Sequence, residues 1–311
     1  GCRRCRAQQQ CQSRADDARA IAPSILPCRH ALMPTSREFL SGVLQRLVSD
    51  ARPLPAPDLV TTGYPSLDRL LAGGLRRAEL TIVGGDAGAG KTALVLGIAI
   101  RAAVAEFPVL ILTHESTEER CWERLVTAES GVTQIAMRTG ILPTGGVDAL
   151  KSAADVLRRL PISVERAPHT PSLLSDRLDA ADLPPLVIID GLAGLDQPPS
   201  PVAEAHAQVV RIAKRVAVDQ GVALLLTAPL GTGQKQTPPP RPVLHDFGML
   251  GTAASVADVV LGLFREGLYD DAPDVAGAFE VHVLKHRAAP SAFTDLFIEP
   301  GAGRVEDLIE S

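Results

Sequence analysis

The sequence is poor in aromatic residues. Phe, Tyr and Trp make up 3% of its 311 residues, with two Tyr and one Trp, too few for the stacking platform on which sheet-type single-strand binders hold bases. Lysine is scarce too: Lys91, Lys151, Lys214, Lys235 and Lys285 are the whole set, and arginine supplies the rest of the 31 basic residues. No charge-free apolar run reaches the length of a spanning helix, and the longest candidate, near Gly221–Gln234, is interrupted by Pro229. No basic-then-apolar leader opens the chain. The expectation is a soluble, cytoplasmic protein with no membrane partner. A net charge of −5 also excludes a global basic field. The charge is uneven, because six Arg face only Asp16 and Asp17 in residues 1–33.

Cysteine is nearly absent from the body of the chain. Cys2, Cys5, Cys11 and Cys28 crowd the start, and Cys121 stands alone beyond them. Four thiolates can in principle form a structural zinc site. The residues around them, however, are Gln-, Arg- and Asp-rich and lack strand formers, which reads as a solvated tail. Residues 1–35 are therefore expected to be a disordered or non-native Arg/Cys-rich tail, with zinc as the alternative.

Hydrophobic residues make up 46% of the chain, enough for a sizeable core. Ser36 to Ala51 reads as an amphipathic helix, with Phe39, Leu40, Val43, Leu44, Leu47 and Val48 at helical spacing. A Pro-rich linker follows to Asp58, so 36–58 forms one connecting unit ahead of a domain over 59–311. Apolar runs at Leu80–Val83, Pro108–Thr113, Leu186–Asp190, Ala223–Thr227, Val259–Phe264 and Phe279–Lys285 predict strands. Helical patterns near Lys91–Val104, Glu118–Ala128, Gly146–Leu160 and Pro201–Gln220 separate the first four. Such alternation predicts an α/β fold, a mostly parallel sheet with helices on both faces. The closely spaced late strands predict a β-rich C-terminal edge.

The strongest chemical signal is Gly85-Asp86-Ala87-Gly88-Ala89-Gly90-Lys91-Thr92-Ala93. It fits G-x-x-x-x-G-K-[ST] between a strand and a helix. Glycines let backbone N–H groups point at phosphate oxygens, and the helix N-terminus adds the positive end of its dipole. Lys91 supplies a point charge for the β- and γ-phosphates, and the Thr92 hydroxyl suits a Mg²⁺ shell. ATP with Mg²⁺ is the expected cofactor pair. Asp190 ends the apolar strand PPLVIID, as a metal-orienting carboxylate at a sheet's C-terminal edge does. Glu115 stands just past VLILT and can act as general base on a water. Its competing reading is a helix N-terminal charge before STEER.

These residues resemble the RecA-like P-loop NTPase core, and more specifically the C-terminal motor domain of DnaB-type replicative helicases. The agreement is co-linear over about 59–308: TTGYPSLDRLLAGGL, the phosphate loop, PVLILTHES, RTGIL, LVIIDGL, RPVLHD, VADVVLGLFRE and VLKHRAAP. The resemblance implies an ATP-driven DNA helicase or translocase working as a homo-oligomeric, hexameric ring on single-stranded DNA. It implies Glu115 as catalytic base, Arg124 beside the nucleotide base, and Lys285 and Arg287 reaching the γ-phosphate on the adjacent subunit. A solvated strand end is the competing reading of KHR. The helix at 36–51 resembles the family's linker helix, and the family's N-terminal helical domain is expected to be absent.

The sequence also departs from the family. The sensor strand ends in Thr227-Ala228 rather than Ser-Gln, and Gly191 replaces the usual aromatic after Asp190. The DNA-contacting loop reads Gly248-Met249-Leu250-Gly251, without its arginine and carboxylate. Lys235, Arg241 and Gly251 remain candidates for holding DNA phosphates. The alternative function is a RecA-fold regulatory or assembly ATPase that does not unwind DNA.

If the tail contributes no core, a chain beginning at Met33 should melt at the same temperature and hydrolyse ATP at the same rate as the full sequence. A large drop in thermal stability, or stoichiometric zinc lost along with residues 1–32, would count against that assignment.

Overall fold

The computed structural model describes residues 58–180, 182–192, 202–230, 241–247, 255–270 and 275–308. The expected tail over 1–35, the linker helix and nearly all of the Pro-rich linker lie outside the described residues, as do Lys235 and Gly248–Gly251.

A short antiparallel pair, β1 (Leu59–Val60) and β2 (Leu75–Arg76), brackets α1 (Pro65–Leu70). The chain then runs β3 (Leu80–Gly85), α2 (Lys91–Val104), β4 (Val109–Thr113), α3 (Glu118–Ser130), α4 (Gln134–Thr139), α5 (Gly146–Leu157) and β5 (Ile162–Arg166). It continues with α6 (Pro171–Asp179), β6 (Leu186–Asp190), α7 (Val202–Gln220), β7 (Ala223–Pro229) and β8 (Val259–Phe264). The last strands are β9 (Ala278–His286), β10 (Ala292–Ile298) and β11 (Val305–Asp307). Nine strands form one sheet in the order β11-β10-β9-β8-β3-β7-β6-β4-β5. The six from β8 to β5 are parallel, and β9, β10 and β11 add antiparallel pairs at one edge.

The parallel block follows from its sequence. LTIVGG, VLILT and LVIID are buried at every position, and a strand that is apolar on both sides must be covered on both faces. Alternate residues supply the two cores. Val83, Ile111, Ile188 and Leu225 pack with Leu94 and Ile98 of α2 and Leu125 of α3. Ile82, Leu112, Ile189 and Leu226 face Leu174 of α6 and Val209 and Val216 of α7. Thr117, Thr133 and Thr170 cap α3, α4 and α6 by accepting a backbone N–H three residues on. Gly131 ends α3 in the left-handed conformation at φ +72°.

The predicted class and the β-rich edge match this architecture. Two details differ. The expected helix over 146–160 stops at Leu157, before Pro161, which disfavours helical backbone at the residue preceding it. The strand β5 has no apolar run: it is an edge strand, and ISVER buries only its first residue.

Helix α2 sits deep. Nine of its fourteen residues are buried, and Tyr64 is pressed against it. A Cβ at Gly97 would lie 2.1 Å from the Tyr64 hydroxyl. Among the described residues that buried hydroxyl has no hydrogen-bond partner, and the Arg101 guanidinium stands 4.3 Å over the ring. Gly97→Ala should therefore destabilise the fold by about 1–3 kcal/mol through overpacking. In a Tyr64→Phe background the obstructing oxygen is gone, and the higher helix propensity of alanine, roughly 1 kcal/mol, should reverse the sign. Urea unfolding of the four variants in this cycle checks both signs.

Candidate functional site

The phosphate loop joins β3 to α2 at the C-terminal edge of the sheet, where ligands bind in open α/β folds. Gly88 and Gly90 adopt φ +81° and +96°, conformations that cost other residues energy and that turn successive amides inward. Lys91 Nζ donates to the carbonyls of Gly85 at 2.8 Å and Asp86 at 3.0 Å, spanning the loop. Burial lowers its pKa, against the opposing charges of Glu115, Asp190 and Asp86.

Next to β3 lie β7 and then β6. Asp190, at the tip of β6, is buried, and its Oδ1 accepts from Thr92 Oγ1 at 3.2 Å and Thr227 Oγ1 at 2.9 Å. Burial raises the Asp190 pKa, and the two hydroxyls oppose the rise by favouring the carboxylate. The Thr227 hydroxyl also accepts from the Gly191 amide at 2.7 Å. Thr227, met in the sequence as a departure from Ser-Gln, thus organises the strand tip. Its signal was a lone hydroxyl ending an apolar strand.

Gly191 is the link to Glu115. It adopts φ +101°, and a Cβ there would meet Glu115 Cγ at 2.4 Å. The glycine gives Glu115 room against the tip of β6, in line with the His114 amide donating to the Asp190 carbonyl at 3.0 Å. Lys91, Thr92, Asp190 and Glu115 therefore converge at adjoining strand ends. The two oxygens of Thr92 and Asp190 are hard donors of the kind Mg²⁺ takes alongside phosphate. Arg124 lines a small cleft of about 80 Å³ with Thr92, Ala93 and Gly303, and an adjoining one of about 260 Å³ with Arg120 and Arg138. Cys121 lies buried nearby, its thiol pushed up to about 12 by burial and by the charge of Asp190.

A contact that sequence reasoning missed covers the loop from the far side. Tyr269 donates its hydroxyl to Asp86 and stacks on Phe264, with ring centroids 5.8 Å apart.

Two expected site residues stand elsewhere. Strand β9 runs antiparallel to β8, with Val259 opposite His286 and also paired with Thr81, whereas Gly85 pairs with Leu263. Lys285 and Arg287 accordingly face the opposite end of the sheet from the loop of their own chain; the four steps from Thr81 to Gly85 alone span about 13 Å along the strand. Arg241 is bidentate to Glu280 at 2.7 and 2.8 Å and sits 5.2 Å over the Phe264 ring. It anchors its segment to β9, and its guanidinium is already engaged.

The profile of the DnaB-like helicase C terminal domain matches residues 60–307, and the chain belongs to that family. It is 27% identical over 214 residues to the replicative DNA helicase DnaB of Treponema pallidum (strain Nichols), covering 67% of this chain and 48% of that protein. It is 26% identical over 239 residues to the replicative DNA helicase DnaC of Bacillus subtilis (strain 168), covering 74% and 52%. The chain thus spans about half the length of the curated relatives it matches. Among solved structures, one of an ATPase domain superposes with TM-score 0.76 at 21% identity, covering 88% of this chain and 98% of that one. A DnaB-like replicative helicase solved for its interactions with primase superposes with TM-score 0.78 at 19% identity, covering 89% and 69%. At such identities the likeness is one of fold.

Gly191→Ala should push Glu115 off the tip of β6; if Glu115 is the general base expected from the sequence, ATP turnover should fall by about 10²-fold, the effect of misplacing a reacting group by about 1 Å. Nucleotide affinity, read with a fluorescent ADP analogue, should change little, since the phosphate loop is untouched. Wild-type turnover in that variant would show that Glu115 does not need this seat.

Proposed function

We propose that this chain is the ATP-hydrolysing motor domain of a DnaB-like helicase. It acts in the cytoplasm on single-stranded DNA as a ring of identical copies, hexameric by resemblance, with each nucleotide at an interface between copies. The observation that carries the reading is the convergence of Lys91, Thr92, Asp190 and Glu115 at neighbouring strand ends.

In this reading the amides of Gly85–Thr92, together with Lys91, take the β- and γ-phosphates, and Arg124 flanks the base. Thr92 and Asp190 would hold Mg²⁺, which neutralises charge on the phosphate oxygens when bound with ATP. Glu115 accepts a proton from the attacking water as its oxygen bonds to the γ-phosphorus. The bond from that phosphorus to the bridging oxygen breaks, leaving ADP and inorganic phosphate. Lys285 and Arg287 act on the γ-phosphate held by a neighbouring copy, which their placement away from their own loop supports. Lys235 and Gly251 stay candidates for holding DNA phosphates. The engagement of Arg241 with Glu280 favours a supporting role for that residue.

The second reading, a regulatory or assembly ATPase that does not unwind DNA, draws on the missing Ser-Gln at Thr227-Ala228 and on the altered loop at Gly248–Gly251. Stimulation of turnover by single-stranded DNA, together with strand separation of a forked duplex, supports the helicase. Turnover indifferent to DNA supports the switch.

Lys91→Ala is expected to abolish nucleotide binding or turnover. Glu115→Gln is expected to keep affinity within a few-fold and lose about 10²–10⁴ in turnover, because an amide can hold a water but not take its proton. Phosphate release and analogue binding, measured on both variants, separate the two roles. Turnover within a few-fold of wild type would reduce Glu115 to a helix-terminal charge.

A further inference from the structure

A second buried carboxylate lies at the other end of the sheet. Asp258 immediately precedes β8, and its side chain is 3% exposed. Its Oδ2 accepts from the Leu80 amide at 2.8 Å and from Lys214 Nζ at 2.7 Å, and its Oδ1 lies 3.1 Å from Arg287 Nε. Lys214 also donates to the Ala78 carbonyl at 3.1 Å. One carboxylate thereby ties together the start of β3, helix α7, the start of β8 and the segment after β9. Just upstream, the carbonyls of Ser255 and Ala257 each accept from Lys285 Nζ at 2.6 Å. Residues 255–258 thus cradle both cations of KHR.

The charge balance separates the two partners of Asp258. Lys214, 20% exposed, pairs with the buried carboxylate from within the fold, and it also faces the carboxyl of Glu79, whose pKa burial and the charge of Asp258 raise. Arg287 is a second cation, 58% exposed, whose nearest approach is through the inner nitrogen Nε rather than the terminal nitrogens. A guanidinium gripped at its inner edge has its direction set while its tip stays available for a planar, multidentate partner such as phosphate. A long side chain fixed in this way does not have to be ordered at the moment of reaction.

We propose that Asp258 is a positioning residue, which aims Arg287 at the phosphates of a nucleotide bound by a neighbouring copy. The proposal rests on the trans role given above to Arg287. Asp258 touches no nucleotide itself, and it lies at the opposite end of the sheet from the phosphate loop of its own chain.

The test uses the full chain. Asp258→Asn retains an acceptor for the Leu80 amide but loses the charge that holds Arg287. Turnover should fall by about 10²-fold, as for misplacement of a reacting group by about 1 Å, while affinity for a fluorescent ADP analogue stays within about threefold of wild type. The double variant Asp258→Asn/Arg287→Ala should be no slower than Arg287→Ala alone, because residues acting as a unit are not additive. Mixed with Lys91→Ala subunits, which carry an intact Asp258 and Arg287, Asp258→Asn subunits should regain turnover. A merely structural defect in Asp258→Asn would not be repaired by a neighbour. Should Asp258→Asn fail to fold, Asp258→Asn/Lys214→Met removes the unpaired buried cation as well and takes its place in every measurement. Wild-type turnover, independent losses in the double variant, or no recovery in the mixture overturns the role of Asp258. The mixture of Arg287→Ala with Lys91→Ala tells the two ideas apart. Recovery there keeps the trans reading whatever Asp258 does, and its absence removes that reading and this proposal together.

Discussion

The site depends on one buried anion. Asp190 ends a strand that lies between two others, and burial alone drives its carboxyl toward the neutral form. Hydroxyls from Thr92, on the helix that leaves the phosphate loop, and from Thr227, at the end of the adjacent strand, converge on the same oxygen. These bonds do two things at once. They favour the charged form that a cation site requires, and they fasten the tips of three elements to one another. The Gly191 amide, held by the same Thr227 hydroxyl, extends the fastening by one residue, to the place where Glu115 rests. The distance between Asp190 and Glu115 is therefore set by a chain of short local contacts.

The molecule has two charged poles joined by a sheet. At one end stand the phosphate loop, Asp190 and Glu115; at the other stand Asp258, Lys214, Lys285 and Arg287. Strand register fixes which residues lie at which end, and a slip of one residue would send every side chain to the wrong face. The antiparallel strand β9 is what allows this, because it returns the chain to the N-terminal edge, where KHR emerges. Each pole is built around a buried carboxylate that receives several donors.

Much of this was legible in the sequence. The parallel core declared itself because strands buried on both faces are unbroken apolar runs, and the phosphate loop because its chemistry demands particular residue types at fixed spacing. The strands β5, at one edge of the sheet, and β10, one strand in from the other edge, hid, since a half-exposed strand mixes polar and apolar residues in so short a run that no pattern stands out. Gly191 was visible only as a departure from the family; the need for it is a contact with Glu115, 76 residues earlier in the chain, which local patterns do not encode. Arg241 read as a free phosphate-binding cation because Glu280, its partner, lies 39 residues on. Asp258 passed as an ordinary polar residue at the head of a strand, with nothing nearby in sequence to mark its two cations.

Helix α2 has a mechanical consequence. It begins at the phosphate loop and is enclosed nearly all round, with Tyr64 wedged at Gly97 and Arg101 donating to the Val305 carbonyl at 3.0 Å. An element packed at crystal-like density along most of its surface cannot tilt without opening voids or clashes there. It behaves as a fixed post, and the loop at its head is an anchor rather than a lever. Movement at this end of the sheet is left to the tips of β4, β6 and β7, which meet there through the His114 amide on the Asp190 carbonyl and the Thr227 hydroxyl on the Asp190 carboxylate. The compliance of the site lies in those strand ends, and its stiffness in the helix beside them.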